Sequence, residues 1–320
     1  MKKRNIVSSV PSGSIINSSG KKSAVESVMR AFFAACAAVA VFAVISMTLY
    51  MLLNGLPGIG KAGWREILFQ KAWKPTAAEP SYGIFSIILT SLTGTLAAVM
   101  IGVPAGILTA VYLAEISGKR TTRLVKPAVE LLSGIPSVIY GLLGLYLLNP
   151  LMYRVERKLF QGSHDHQFTG GANLLSAVLV LAVMILPTVI NVSETALRAV
   201  SPGIREASLG LGASRMQTIF RAVLPAAKSG LFTAVVLGVG KALGEAMAIL
   251  MVSGNSVNMP LPFHSVRFLT TALVSEMAYA QGTHRQVLFT IGLVLFVFIM
   301  SVNLVLHWIL RNCTVPKESE

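Results

Sequence analysis

Acid is what this chain lacks. Of its 320 residues only 13 are Asp or Glu, and a single one of these, Asp165, is an aspartate. Chemistry that needs paired aspartates, or an aspartate cage around a metal, is thereby excluded. Charge of either sign is scarce as well: 12% of residues, against about 25% in soluble domains. The two cysteines, Cys36 and Cys313, lie far apart, which rules out a disulfide framework or a cysteine metal cluster. What is present is apolar: 54% of residues are hydrophobic and the mean hydropathy is +0.69. The net charge of +14 would suit nucleic acid only on a hydrophilic, clustered face, which this composition does not offer. Scarce, mostly positive charge on an apolar chain points to a polytopic membrane protein.

Uninterrupted apolar stretches long enough to cross a bilayer number six: about 28–53, 84–113, 127–149, 173–192, 229–253 and 287–310. The first follows Lys2, Lys3 and Arg4, as a signal peptide would, but it is too long and starts too late. It is read as a retained helix. An even number of spans puts both termini on one side. The segments on that side (the N-terminal tail, 114–126, 193–228 and the C-terminus) hold 17 Lys and Arg, against 9 in 54–83, 150–172 and 254–286. The positive-inside rule therefore places both termini in the cytoplasm. Trp64, Trp73, Tyr82, Tyr112, Tyr153 and Trp308 lie near span ends or in loops, as interfacial aromatics do. The Ser/Gly/Asn-rich tail, roughly residues 5–23, is expected to be disordered.

Two apparent motifs fail on their context. Gly55–Ala62 matches most of a phosphate-binding P-loop, but Ala62 replaces the magnesium-holding hydroxyl and no strand precedes it. It reads as a Gly/Pro-rich loop leaving a helix, so the chain is not expected to hydrolyse ATP itself. His164-Asp165-His166 has no third or fourth ligand nearby and reads as a solvated polar turn. Glu115, Glu130, Glu194 and Glu276 lie near span ends and read as solvated helix termini.

The 193–228 segment is the most informative. Arg205-Glu206-Ala207-Ser208 leads to Gly212, and apolar residues recur at helical spacing through Met216, Ile219, Phe220 and Val223 up to Leu224-Pro225. The pattern predicts a short helix, a tight glycine turn and a second amphipathic helix along the membrane face, a protrusion suited to a partner's groove.

Glu206-Ala207-Ser208, Gly212 and Leu224-Pro225 together resemble the coupling loop of bacterial ABC importer permeases. This chain departs from it at Ser208 (Ala in the family) and Ala222 (Ile). Tyr112-Leu-Ala-Glu115, Gly134 to Gly144, Leu186-Pro187-Thr188 and Gly240-Lys241-Ala-Leu-Gly244-Glu245-Ala-Met-Ala are similar to the phosphate ABC transporter permeases. Met251 to Asn255 and Arg267 to Met277 are similar to their PstC-type subunit. The similarity runs over about residues 60–310, with 150–172 as a variable insertion. It implies an all-α integral membrane permease of the type I ABC importer fold, with six transmembrane helices in a domain over 28–310 (core about 84–310) between cytoplasmic tails 1–27 and 311–320. It further implies import of inorganic phosphate across a bacterial plasma (inner) membrane with no cofactor or catalytic residue of its own. The implied partners are a PstA-type second permease, a PstB-type ATPase dimer docked on 193–228 through Glu206, Ala207, Ser208, Gly212, Leu224 and Pro225, and an extracytoplasmic PstS-type phosphate-binding protein, within membrane lipid and without nucleic acid. A permease for molybdate, sulfate or phosphonate is the nearest alternative. A secondary transporter would show repeated halves.

Lys241 lies 12 residues into the fifth apolar stretch, so about 18 Å along a helix, near the bilayer midplane. Glu245 follows four residues later, which on a continuous helix puts it on the same face. Such charges are costly in a bilayer and face the bundle interior, where they serve either as a buried pair that fixes helix packing or as part of a transport pathway. The resemblance implies that both positions matter for phosphate passage. Here Lys241 stands where the family commonly has Arg, and Ala246 where it has Thr; a lysine lacks the planar fork that grips an oxyanion at two points.

Overall fold

The computed structural model describes residues 19–162 and 166–314, with side chains described for 25–162 and 166–309. Residues 5–18 of the expected disordered tail, together with His164, Asp165 and the Cys313 side chain, lie outside the described residues. The chain divides into two compact units, Met1–Tyr50 and Met51–Glu320.

The first unit consists, over its described part, of most of helix α1 (Ser19–Ala62). Its apolar side chains are exposed all round, with Phe32 at 60% and Phe42 at 70%. A helix apolar on every face belongs in an apolar solvent.

The second unit begins with the end of α1 and continues through α2 (Trp64–Phe69) and a two-stranded antiparallel ribbon, β1 (Trp73–Lys74) and β2 (Ser81–Tyr82). Next come α3 (Phe85–Val111) with a π-turn, Tyr112–Ile116, then α4 (Lys119–Gly134) and α5 (Ser137–Leu143). A second π-turn, Gly144–Leu148, leads into α6 (Asn149–Leu159) and α7 (Leu174–Arg198). The 193–228 segment holds α8 (Pro202–Gly210), α9 (Arg215–Thr218), a third π-turn (Ile219–Val223) and α10 (Leu224–Ala226). The chain ends with α11 (Lys228–Gly244), α12 (Met247–Val252), α13 (Leu269–Glu276) and α14 (Gly282–Thr314).

Among the described residues, five helical stretches are long and apolar enough to cross a membrane. They become six if Arg215–Ala226 and Lys228–Gly244, bent by 70°, count as one span. Three expectations about their course need correction. Gly55–Ala62 is helical rather than a loop. Gly55 and Gly58 bring this turn of α1 against α14, where an added Cβ would stand 3.1 Å from the Phe289 carbonyl carbon and 2.6 Å from Thr290 Oγ1. Thr290 Oγ1 also donates to the Gly55 carbonyl at 2.7 Å. The third span does not run unbroken over 127–149. Pro136 forces Ile135 into an extended conformation (φ −71°, ψ 127°), and the apolar stretch resumes as Ser137–Leu159, well into the expected insertion. The fifth span is broken at Glu245, where the helix ends and restarts two residues on.

The core of the second unit is α3 laid along α7. Gly102 and Gly106 allow the close approach: a Cβ at Gly102 would lie 2.6 Å from Ile185 Cδ1 and 2.9 Å from the Ala182 carbonyl oxygen. Because that oxygen is backbone and cannot swing away, Gly102→Val is expected to cost about 1–3 kcal/mol by overpacking. A lower thermal midpoint of the detergent-purified protein is the measurement, and an unchanged midpoint would contradict this packing.

Four carboxylates expected at solvated ends divide unevenly. Glu130 is exposed, whereas Glu115 is partly buried and paired with Arg205, Glu194 is only 2% exposed and Glu276 only 4%. Glu194 accepts from Arg198 Nε at 2.7 Å and from Lys126 Nζ at 3.4 Å. Glu276 accepts from Trp73 Nε1 at 3.1 Å, meets His284 Nε2 at 2.8 Å and is paired with Arg267. Trp73 is thus a buried donor, not an interfacial anchor. His166 departs from expectation in the same way. Its ring stacks on Phe160 at 3.9 Å, and Nε2 lies 2.9 Å from the fully buried Glu156. These acids are buried because each has fixed donors, without which burial of charge is prohibitive.

Candidate functional site

α11 ends at Gly244. Glu245 is extended (φ −73°, ψ 131°), and α12 starts at Met247. Two hydrogen bonds hold the break: the Glu245 carbonyl accepts from Thr270 Oγ1 at 2.7 Å, and its Oε1 accepts from the Ala248 amide at 3.0 Å. Lys241 and Glu245 therefore do not share one helical face, and no ion pair joins them among the described residues. The carboxylate is occupied with the Ala248 amide in the first turn of α12 instead.

Lys241 looks elsewhere. It is partly buried, and its Nζ donates to Thr188 Oγ1 of α7 at 3.4 Å, a long contact that leaves the ammonium free to bond more. Lys241 also lines a groove of about 610 Å³ between α11 and α14, together with Leu237, Gly240, Met300, Asn303 and His307 among others. Thr188 stood out in the sequence as part of Leu186-Pro187-Thr188, but its place beside Lys241 depends on the α7–α11 contact, which no local pattern signals. An ammonium and a hydroxyl side by side on an apolar wall can offer hydrogen bonds to a small oxyanion.

The 193–228 segment forms a hook. α8 is capped by Ser201, whose Oγ accepts from the Gly203 amide at 3.3 Å. Glu206 is exposed on α8 and without a partner among the described residues. α8 closes in a Schellman turn. Gly212 (φ +84°) donates to Leu209 O at 2.9 Å and Ala213 donates to Ser208 O at 3.2 Å. α9 opens with a capping box between Ser214 and Gln217. Ser208, where the family has Ala, bonds its hydroxyl to Thr218 Oγ1 at 2.9 Å and ties α8 to α9. Ala207 is exposed; Leu224 is partly buried, and exposed Pro225 stands just before the 70° bend into α11. Ile219 and Val223 face inward, in a cluster with Ala110, Val111 and Leu197. Leu211 at the tip is 90% exposed, beside Leu209, Met216 and Phe220, each about half exposed.

Solved structures with this architecture are ABC importer permeases of the type I fold. The chain superposes on the MetNI methionine ABC transporter in an inward-facing form with a TM-score of 0.52 at 21% identity, covering 73% of this chain and 95% of that one. With the bacterial alginate ABC transporter, in complex with an alginate-bound periplasmic protein, the TM-score is 0.63 at 17% identity, covering 90% and 97%. Residues 102–313 match the family described as binding-protein-dependent transport system inner membrane component, and this chain belongs to that family. Relatives include a probable ABC transporter permease protein, YqgH, of Bacillus subtilis, 36% identical over 86% of this chain and 88% of its own length. PstC phosphate transport system permease proteins of Pasteurella multocida and Haemophilus influenzae are 33% and 32% identical over 72% and 81% of this chain, and 74% and 85% of theirs. The protein is thus a multi-pass inner-membrane transport component.

Proposed function

We propose that this chain is a PstC-type permease subunit of an ATP-driven importer of inorganic phosphate, forming the translocation path with a PstA-type second permease. The observation that carries the reading is Lys241, a cation held inside an apolar span beside Thr188, in a chain whose relatives include phosphate permeases. In this reading Lys241 attracts the passing oxyanion, and Glu245 fixes the helix break that shapes the path around it. The hook at 193–228, with Glu206, Ala207, Ser208, Gly212, Leu224 and Pro225, docks on a PstB-type ATPase dimer, where ATP is hydrolysed. Both termini are cytoplasmic. A PstS-type binding protein delivers phosphate to the opposite face, and its loading together with ATP binding switches the permease pair between outward- and inward-open forms.

The test is uptake of labelled phosphate in a deletion strain that expresses this chain with its partners. Uptake is expected to stop on ATP depletion and to be competed by arsenate. Uptake that persists without the ATPase would favour a secondary transporter. Competition by molybdate, sulfate or phosphonate in place of arsenate would favour another oxyanion, a question left open by the substrate-neutral name of the Bacillus relative.

A further inference from the structure

α8 carries no buried residue of its own. A helix without an apolar anchor follows the rest of the molecule through the polar bonds that hold it: Ser208 ties α8 to its neighbour α9 within the hook, and Arg205 ties it to the ends of the spans. Its guanidinium grips Glu115 at two points, Nη2 to Oε1 at 2.6 Å and Nε to Oε2 at 3.3 Å. It also donates to the carbonyls of Leu197 at 2.8 Å and Val200 at 2.5 Å. The side chains of Arg205 and Glu115 are 24% and 11% exposed, shielded enough to hold a two-point pair in place.

Glu115 sits in the π-turn that finishes α3. There the ladder shifts by one residue, Ser117 N–H bonding Tyr112 O at 2.7 Å, and the Leu113 carbonyl accepts from Ser117 Oγ at 3.1 Å and from Arg198 Nη2 at 3.2 Å. Arg198 in turn holds Glu194, which also binds Lys126 of α4. The end of α3 is therefore tied to α8 by Arg205 and to α7 by Arg198. α7 packs along α3 through Gly102 and Gly106 and carries Thr188 to Lys241.

We propose that the Arg205–Glu115 pair is the latch through which movement of the hook reaches the span bundle. Arg205 and Glu115 are positioning residues: neither touches the transported ion, and together they set how much of α8's displacement reaches α3. The proposal rests on the reading of 193–228 as the ATPase-docking segment.

Two experiments test it. In proteoliposomes holding the whole importer, Arg205→Ala and Glu115→Gln are each expected to lower phosphate moved per ATP hydrolysed roughly tenfold, within the usual range of coupling between sites. The ATPase should still co-purify and basal hydrolysis should persist. The double variant should be no worse than either single one, and Arg205→Lys should recover part of the loss. Loss of ATPase co-purification, hydrolysis and uptake falling in step, or additive losses would overturn the latch. The second experiment needs no transport: hydrogen exchange of the full chain in detergent. Glu115→Gln is expected to speed exchange of the α8 amides, on the far side of the pair in sequence. Unchanged α8 exchange overturns the latch whatever the protein carries. Wild-type importer without ATP-dependent uptake overturns only the importer reading.

Discussion

Lys241→Gln is expected to abolish phosphate uptake while leaving the permease assembled with its partners. Glutamine keeps an uncharged amide donor on a stem one methylene shorter, so the wall beside Thr188 stays polar and the groove is not filled. What disappears is the charge. A hydrogen bond to a charged partner contributes about 1.5–3 kcal/mol, so uptake should fall roughly 10- to 150-fold on this loss alone. Stability should move the other way, because a charge in mid-bilayer costs about 2.5–3.5 kcal/mol on insertion scales. Initial uptake rates and the thermal midpoint of the purified permease, read together, separate the two roles. Normal uptake with a lowered midpoint would reduce Lys241 to packing. Lys241→Arg restores the charge and adds a two-point fork, and should transport at least as well as the native residue.

Glu276→Ala should be the most damaging change to the fold itself. One carboxylate answers Trp73 Nε1, Arg267 and His284, and the side chains of Arg267 and His284 are only 14% and 9% exposed. Removing it leaves a shielded guanidinium without its partner and strands two more donors, a loss of about 3–5 kcal/mol for a broken buried pair. A drop in thermal midpoint and early proteolysis in the ribbon and the 254–268 loop are expected. Glu276→Gln keeps an acceptor and should fall between the two. An alanine variant as stable as the parent would mean that the cluster contributes nothing net.

The spans were legible because crossing a bilayer demands a long apolar run, and such runs stand out in any window of the sequence. The hook was legible for a related reason: Gly212 and Pro225 act within a few residues of themselves. The buried acids were not. Glu194 has its partner Arg198 one helical turn on, but Trp73 and Glu276 are 203 residues apart, and Arg205 and Glu115 are 90 apart, separations that no local window spans. The same holds for the break at Glu245, where a carbonyl is claimed by Thr270 and a carboxylate turns to a backbone amide. Pattern alone reads that stretch as one continuous helix and puts Lys241 and Glu245 on one face, whereas the break turns the Glu245 carboxylate to the Ala248 amide. Gly55–Ala62 misled in the opposite direction, since glycines that suggest a loop serve there to seat one helix against another.

The turn at the tip of the hook closes entirely on its own bonds: two backbone bonds around Gly212 and the reciprocal pair of Ser214 and Gln217. Its shape exists before anything binds it. Association with a groove then carries no toll of loop ordering, and Leu211 arrives as a prearranged wedge. If the hook docks on the ATPase as proposed, it should meet it as one solid part meets another, at a rate set by collision and orientation rather than by a folding step.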